Sequence, residues 1–214
     1  MTRAPRRLGL LGGTFDPIHV GHLDAADAAR AALGLDEIVV IPSHDPPHRP
    51  TDPRASAFHR FAMAVLAVDG REGYRASDIE LRREGPSYTA LTLRELHGCG
   101  WRPAQLFFII GSDAFAEIAT WYGYPAILDA CEFAVISRPG TTIPSALART
   151  PDVASRVGTT IHLVEAPTSD VSSTGIRARL AAGDSISGLV PLSVARHIDR
   201  HQLYRPVDDL HAQD

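Results

Sequence analysis

The sequence predicts an α/β protein with a Rossmann-like, doubly wound parallel sheet. Short apolar segments alternate along the chain with longer helical patterns, an order typical of parallel sheets that are covered by helices. Most of the apolar segments are rich in Leu, Ile or Val and are bounded by Gly or Pro, as strands buried on both faces are. We therefore expect one central sheet between two helical layers.

The predicted strands cover residues 8–12, 37–42, 105–111, 132–137 and 160–165, with a shorter extended segment at 75–80. Helical patterns cover residues 21–33, 54–68, 87–97, 114–120, 125–130, 173–182 and 191–200. Three glycines are expected to end helices: Gly34, Gly98 and Gly183. The length of 214 residues predicts a single domain over 1–206, followed by a flexible acidic tail at 207–214.

Composition and charge argue against several classes of protein. With 44% hydrophobic and 21% charged residues, the chain is typical of a folded globular protein. Its net charge of −4, without a long basic run, disfavours a general nucleic-acid binder. Cys99 and Cys131 lack the spacing of a disulfide framework or a zinc ribbon, so a cytoplasmic location is expected. No apolar segment approaches the ~20 residues that span a bilayer, so no membrane partner is expected.

The basic residues restrict how the chain can bind phosphate. All 21 of them are Arg, because the sequence contains no Lys. This excludes a lysine Schiff base and the lysine of a Walker A phosphate loop. Any phosphate site must therefore use Arg, His or backbone N–H groups.

The segment GGTFDPIHVGH, residues 12–22, joins the first predicted strand to the first predicted helix. Its glycines let the backbone approach a ligand closely, and the helix that follows presents unpaired N–H groups to an anion. It lacks the G-x-G-x-x-G pattern of dinucleotide-binding folds. His19 and His22 can both donate to phosphoryl oxygens. One capping and one packed histidine are the alternative, and a zinc site is disfavoured because no third ligand lies at recognisable spacing.

This segment resembles the signature of the nucleotidyltransferase superfamily, and of its nicotinate-nucleotide adenylyltransferases in particular. Similar motifs follow in the family's order: PSHDPPHR at 42–49, SYT and TL within 87–93, IGSD at 110–113 with a tryptophan downstream, and VSSTGIR at 171–177. Arg49 stands where the family commonly has Lys, and Val171 where it has Ile. The resemblance covers residues 8–204 and implies a Rossmann-like fold of the nucleotidyltransferase type.

The resemblance implies adenylyl transfer from ATP to nicotinate mononucleotide, a step of NAD biosynthesis that yields nicotinate adenine dinucleotide and pyrophosphate. The implied catalytic residues are His19, His22 and Arg177. ATP is expected to contact Gly12, Gly13, Thr14, Phe15, His19, His22, Gly111, Asp113, Ser172, Ser173, Thr174 and Arg177. Nicotinate mononucleotide is expected to contact Asp16, His48, Arg49, Tyr88, Thr89, Trp121 and Tyr122. Mg²⁺ is expected to arrive with ATP, without a metal site made of protein ligands.

Several of these residues also have a purely structural explanation. Trp121 can also be explained as a core aromatic, and Asp113 as a helix N-cap. The SST segment at 172–174 can likewise be explained as a helix cap. Without the family, Arg177 is a solvated helical residue whose replacement costs little stability.

Two other functions stay open on the sequence alone. One is a different adenylyltransferase of the superfamily, such as phosphopantetheine adenylyltransferase, and the other is a nucleotide-binding module without turnover. A pyrophosphate-release assay with ATP and nicotinate mononucleotide distinguishes them. A homo-oligomer is compatible with the sequence.

Overall fold

A six-stranded parallel sheet forms the centre of the protein, whose computed structural model describes residues 6–47, 53–137 and 159–205. The strands are β1 (Leu8–Gly13), β2 (Glu37–Pro42), β3 (Tyr74–Ala76), β4 (Leu106–Gly111), β5 (Glu132–Ser137) and β6 (Ile161–Glu165). Their order across the sheet is β3-β2-β1-β4-β5-β6, and every neighbouring pair is parallel. This is the strand order of the doubly wound Rossmann fold, so the predicted fold class is confirmed.

Six α-helices lie within the described ranges: α1 (Val20–Leu33), α2 (Ala57–Val68), α3 (Thr89–Gly98), α4 (Ser112–Ala116), α5 (Ser173–Ala181) and α6 (Leu192–Arg200). Short 3₁₀ turns cover Pro103–Gln105, Ile118–Thr120 and Ala126–Asp129. None of these helices is long and apolar enough to cross a membrane. The predicted tail at 207–214 lies outside the described residues.

Two predicted helices and one predicted strand are wrong in type or length. The helix expected at 114–120 is divided into α4 and a 3₁₀ turn, where the Thr120 hydroxyl donates to the Glu117 carbonyl at 2.8 Å and so competes with helical bonding. The helix expected at 125–130 is a 3₁₀ turn. β3 ends at Ala76 rather than at residue 80, because the Ser77 hydroxyl accepts the N–H of Ile79 and turns the chain.

The predicted helix ends are partly confirmed. Gly34 caps α1 in the left-handed conformation, with φ of 59°, and Gly183 follows the C-cap of α5 with φ of 77°. Gly98, by contrast, is still inside α3, and the left-handed residue after that helix is Gly100. α2 begins three residues later than predicted, because Ser56 caps it by accepting the N–H of His59.

The two faces of the sheet carry separate hydrophobic clusters, as the alternation of side chains along strands requires. On one face, Ile38 and Val40 pack in the cluster that contains Met63 of α2. On the other face, Val39 packs in the cluster that contains Leu93 of α3. Each side chain of this size stabilises the fold by about 1.5–3 kcal/mol when it is fully buried.

A buried arginine joins the loops that follow β1 and β2. Arg60 of α2 is only 1% exposed. Its guanidinium donates to the backbone carbonyls of Thr14 at 2.8 Å, Ser43 at 2.6 Å, His44 at 3.0 Å and Ala55 at 3.2 Å. These hydrogen bonds satisfy carbonyl groups that have no partner in a neighbouring strand. They also hold the carboxyl ends of β1 and β2 in a defined position.

Candidate active site

A cleft of about 840 Å³ opens at the carboxyl ends of β1 and β4, where the strand order reverses. Ligands of doubly wound sheets bind at this point, and the volume is within the range of small-molecule sites. Eleven of the predicted site residues line the cleft: Gly12, Gly13, Thr14, His19, His22, Tyr88, Thr89, Gly111, Asp113, Trp121 and Tyr122. The structure therefore brings together residues from three separate motifs: the segment 12–22, the SYT element, and the IGSD element with its downstream tryptophan.

The two histidines of the H-x-G-H segment form a stacked pair at the N-terminus of α1. Their ring centroids are 3.6 Å apart, and His19 occupies the N-cap position. The Nδ1 atom of His22 accepts the backbone N–H of His19 at 3.2 Å. Because Nδ1 accepts, neutral His22 carries its proton on Nε2. The pair thus adds an imidazole N–H donor to a helix N-terminus, which already favours anions.

Buried polar atoms without partners concentrate along this cleft. Among the described residues, the Nδ1 of His19 and the Oγ atoms of Ser43 and Ser137 are buried and have no hydrogen-bond partner, and all three residues line the cleft. Buried polar atoms are normally satisfied, so these atoms indicate a place where a polar ligand completes the bonding. Burial also lowers the pKa of His19 to about 4, although the nearby Asp24 carboxylate acts in the opposite direction.

The glycine of H-x-G-H is required by close packing. A Cβ atom at Gly21 would lie 3.1 Å from the carbonyl oxygen of Ser169 and 3.3 Å from the Nδ1 of His19. Ser169 is itself held there by Asp24 of α1, whose carboxylate accepts both its N–H and its hydroxyl. A larger residue at position 21 would displace His19 or the loop before α5.

Aromatic side chains also line the cleft. Trp121 is half-buried and packs edge-on against Phe108 of β4, with ring centroids 5.9 Å apart. It is therefore both a core contact and a lining residue. Tyr88 and Tyr122 stack with centroids 4.5 Å apart. Thr89 is the first residue of α3, where a backbone N–H has no acceptor within the helix.

Two predicted ATP or mononucleotide contacts lie behind the cleft surface. Phe15 is 2% exposed and packs edge-on against His22, with centroids 5.0 Å apart. It supports the histidine ring and does not line the cleft. Asp16 is 1% exposed, and its carboxylate accepts the N–H groups of Arg54 at 2.9 Å and Ala55 at 3.1 Å and the hydroxyl of Tyr204 at 2.8 Å. Asp16 therefore has partners inside the protein, and its contact with the mononucleotide stays a prediction.

The VSSTGIR segment starts α5 behind the H-x-G-H loop, and its predicted site residues also do not line the cleft. Ser172 caps α5 by accepting the N–H of Gly175 at 3.1 Å, and Ser173 donates to the carbonyl of Pro17 at 2.9 Å. Arg177 donates to the carbonyl of Asp16 at 2.7 Å and to the hydroxyl of Thr174 at 3.1 Å.

The arginine is therefore not the solvated helical residue that the sequence allows. Its side chain is 20% exposed and lies 3.7 Å from the Asp16 carboxylate. Replacing Arg177 removes a part-buried hydrogen bond to the Asp16 carbonyl and the positive charge beside the buried Asp16 carboxylate, so the expectation of a small effect on stability is corrected. Asp113 lies in the first turn of α4, whose N-cap is Gly111, and so is not itself the N-cap. The predicted contacts His48 and Arg49 lie outside the described residues.

A buried carboxylate at the cleft was missed by the sequence analysis. Glu80 lines the cleft, is 8% exposed and accepts the hydroxyl of Thr92 at 2.6 Å. Burial raises its pKa, while hydrogen bonds from Thr92 and Ser87 and the charge of Arg83 act in the opposite direction. No spacing rule marks this glutamate, because its partners come from the following loop and from α3.

Comparison with known proteins agrees with this geometry. The family model described as Cytidylyltransferase-like matches residues 10–179. A Thermoanaerobacter sp. (strain X514) protein named probable nicotinate-nucleotide adenylyltransferase is 38% identical over 199 residues, which are 93% of this chain and 94% of that protein. A Bordetella petrii protein of the same name is 40% identical over 200 residues, which are 94% of this chain and all of that protein. The chain belongs to the nicotinate-nucleotide adenylyltransferase family.

Solved structures support the fold of this adenylyltransferase family member. The Plasmodium falciparum nicotinic acid mononucleotide adenylyltransferase complexed with NaAD superimposes with a TM-score of 0.71, at 19% identity, over 93% of this chain and 97% of that one. The same enzyme complexed with APC gives a TM-score of 0.69 over the same shares. At this identity the likeness establishes the shared architecture.

The low pKa of His19 predicts how this adenylyltransferase family member responds to acid. Between about pH 6.5 and pH 4 the unfolded chain binds a proton at His19 that the folded protein does not bind. Neutral His19 therefore makes its full contribution to the free energy of unfolding above pH 6.5. This contribution is lost progressively as the pH falls to 4. An NMR titration of the histidine ring signals measures this directly, with His19→Gln to assign the signal. A His19 signal that titrates near pH 6.5 in the folded protein would contradict the prediction.

Proposed function

We propose that this protein transfers the adenylyl group of ATP to nicotinate mononucleotide, forming nicotinate adenine dinucleotide and pyrophosphate. The observation that carries the proposal is the cleft itself, which is lined both by the stacked rings of His19 and His22 and by the indole of Trp121. Relatives that are 38–40% identical over more than nine-tenths of the chain carry the name of this activity. A helix N-terminus favours anions, and a flat aromatic surface in the same cleft suits a pyridine ring, so together they support binding of a nucleotide.

The reaction needs no general base. The mononucleotide phosphate is already ionised, so one of its oxygens forms a bond to the α-phosphorus of ATP directly. The bond from that phosphorus to the bridging oxygen breaks, and pyrophosphate leaves with the electron pair. Catalysis then consists of positioning and of stabilising the charge on the phosphoryl oxygens.

The position of each residue decides which phosphate group it is assigned to. We assign the Nε2–H of His22 to the α-phosphate and His19 to the neighbouring phosphates, at the N-terminus of α1. Arg177, with Ser173 and Thr174, is assigned to the departing pyrophosphate. Its guanidinium has five N–H donors, of which the Asp16 carbonyl and the Thr174 hydroxyl engage two. Donors therefore remain for a phosphate that reaches this side of the loop.

Mg²⁺ is proposed to enter with ATP. The described carboxylates that line the cleft are Glu80 and Asp113, and Glu80 is buried with Thr92 on one of its oxygens. Mg²⁺ usually keeps several waters and is bound through one or two carboxylates together with substrate phosphates, so an ion held mainly by phosphate oxygens and water needs no site made of protein ligands. When bound, the ion neutralises charge on the phosphates. The protein supplies the donors described above.

The direct test of the proposed function is pyrophosphate release from ATP with three acceptors measured in parallel. Nicotinate mononucleotide is expected to be the best acceptor, with nicotinamide mononucleotide weaker and 4′-phosphopantetheine inactive. Release with phosphopantetheine alone would assign the protein to another branch of the superfamily. ATP binding without release for any acceptor would instead identify a nucleotide-binding module.

His22→Ala is expected to lower the rate of transfer at saturating ATP by about a hundredfold or more, because one preorganised charge-stabilising donor is removed. The fold should be retained, since the ring lines the cleft and is only partly buried. The matched control is His162→Gln, which removes an imidazole from β6, outside the cleft. If the turnover of His22→Ala were within a fewfold of that of the wild type, His22 would have no role in stabilising the transition state.

The acid group of the acceptor is expected to be recognised by backbone donors. The resemblance assigns the N–H groups of Thr89 and Tyr122 to the pyridine carboxylate, while Trp121 stacks on the ring. A carboxylate only accepts hydrogen bonds, whereas a carboxamide presents its own N–H groups to these donors. We expect a preference for nicotinate over nicotinamide mononucleotide of at least about tenfold in kcat/KM, equivalent to ~1.4 kcal/mol.

Trp121→Ala separates stacking from recognition of the acid group in the same experiment. The variant should weaken both mononucleotides and leave their ratio unchanged, because stacking does not distinguish an acid from an amide. A wild-type ratio near one would exclude recognition of the carboxylate. If the ratio of the two kcat/KM values falls only in Trp121→Ala, the indole and not the backbone distinguishes the acid from the amide.

A further inference from the structure

Three histidines meet at the junction of α2 and α6, on a part of the protein that does not line the cleft. His59 lies in the first turn of α2, and His197 and His201 lie four residues apart at the end of α6. Side chains four residues apart share one face of a helix. Each of the three offers one ring nitrogen, and these nitrogens all lie within 4.8 Å of one another. Within the described ranges this is the one such group of three or more His, Cys, Asp or Glu side chains.

The spacing of these nitrogens fits a tetrahedral metal ion. The Nδ1 of His59 and the Nε2 of His197 are 3.2 Å apart. Zn²⁺ binds imidazole at 2.0–2.1 Å, so two ligands of a tetrahedral site are separated by about 3.3 Å. His201 completes a triangle of rings, with centroids 4.9 Å from His59 and 4.5 Å from His197. We propose that these three histidines form a binding site for a divalent transition-metal ion of the Zn²⁺ class, with water as the fourth ligand.

The accessibility and the chemistry of the rings agree with this geometry. His201 is exposed and provides a path for the ion from solvent. Imidazole ligands suit Zn²⁺, Cu²⁺ and Ni²⁺ and do not suit Mg²⁺, so this site is separate from the Mg²⁺ that accompanies ATP.

A metal ion at this site would connect two segments that both reach Asp16. The Arg54 and Ala55 N–H groups, just before α2, bind the Asp16 carboxylate, as does the hydroxyl of Tyr204, just after α6. An ion bound by His59 of the first segment and His201 of the second would cross-link them in the folded state. Because the unfolded chain lacks the assembled site, binding stabilises the folded protein.

The test is a Zn²⁺ titration of the full chain, prepared without a histidine tag and stripped of metal with EDTA. We expect one Zn²⁺ per chain by calorimetry and by elemental analysis after dialysis. The unfolding temperature should rise by about 5 °C when free Zn²⁺ exceeds its Kd a hundredfold. Co²⁺ in place of Zn²⁺ should give the visible absorption of a four-coordinate ion. A chain that binds less than one equivalent, or binds without a rise in unfolding temperature, would overturn the proposal.

Single variants locate the ion. His59→Gln, His197→Gln and His201→Gln should each weaken Zn²⁺ binding by at least about a hundredfold, because even partners of metal ligands contribute 10–100-fold. His162→Gln, the control from β6, should keep the wild-type affinity. Melting curves in EDTA establish that each variant is folded, and His201 is exposed enough to be replaced without disturbing the core. A triple variant that binds Zn²⁺ as tightly as the wild type would place the ion elsewhere, for example on His19 and His22.

Discussion

The buried carboxylate of Asp16 connects the loop that carries His19 to three segments whose contacting residues do not line the cleft. An anion that is removed from water is tolerated only where hydrogen bonds and charges compensate it. Here the compensation comes from the N–H groups before α2, the Tyr204 hydroxyl after α6 and the Arg177 guanidinium of α5, 3.7 Å away. The loop that carries His19 is thereby tied to three distant segments. Arg177 faces the same loop because this carboxylate and the Asp16 carbonyl hold it there.

Arg60 performs the complementary task on the neighbouring loops. Its four backbone acceptors belong to the ends of β1 and β2 and to the turn before α2. A buried cation here replaces the water that would otherwise satisfy those carbonyls, and the loops that line the cleft are held by a rigid guanidinium. The cleft is consequently preorganised, as a reaction that depends on positioning and charge stabilisation requires.

Local patterns in the sequence predict the sheet, most helices and much of the cleft. β2 and β5 have the predicted bounds, because an apolar run bounded by turn-forming residues is a local signal. Residues whose partners are distant backbone atoms carry no such signal. Asp16 and Arg60 belong to this class, since the first is bound by residues 38 to 188 positions away and the second mainly by carbonyl groups. Glu80 was missed because its partners are side chains of the following loop and of α3, at no characteristic spacing. His59 lies 138 positions from His197, whose ring nitrogen it contacts.

The most direct test of this account is the stability and activity of Asp16→Asn beside Tyr204→Phe. The amide keeps the shape of the carboxylate, but it has one acceptor oxygen and turns an NH₂ group toward donors. We predict that Asp16→Asn lowers the free energy of unfolding by about 3 kcal/mol or more and lowers adenylyl transfer with it, as expected when a buried charged partner is removed. Tyr204→Phe, which loses one hydrogen bond, should cost about 1 kcal/mol. Denaturant unfolding of Asp16→Asn at the wild-type midpoint would contradict the central role of this carboxylate.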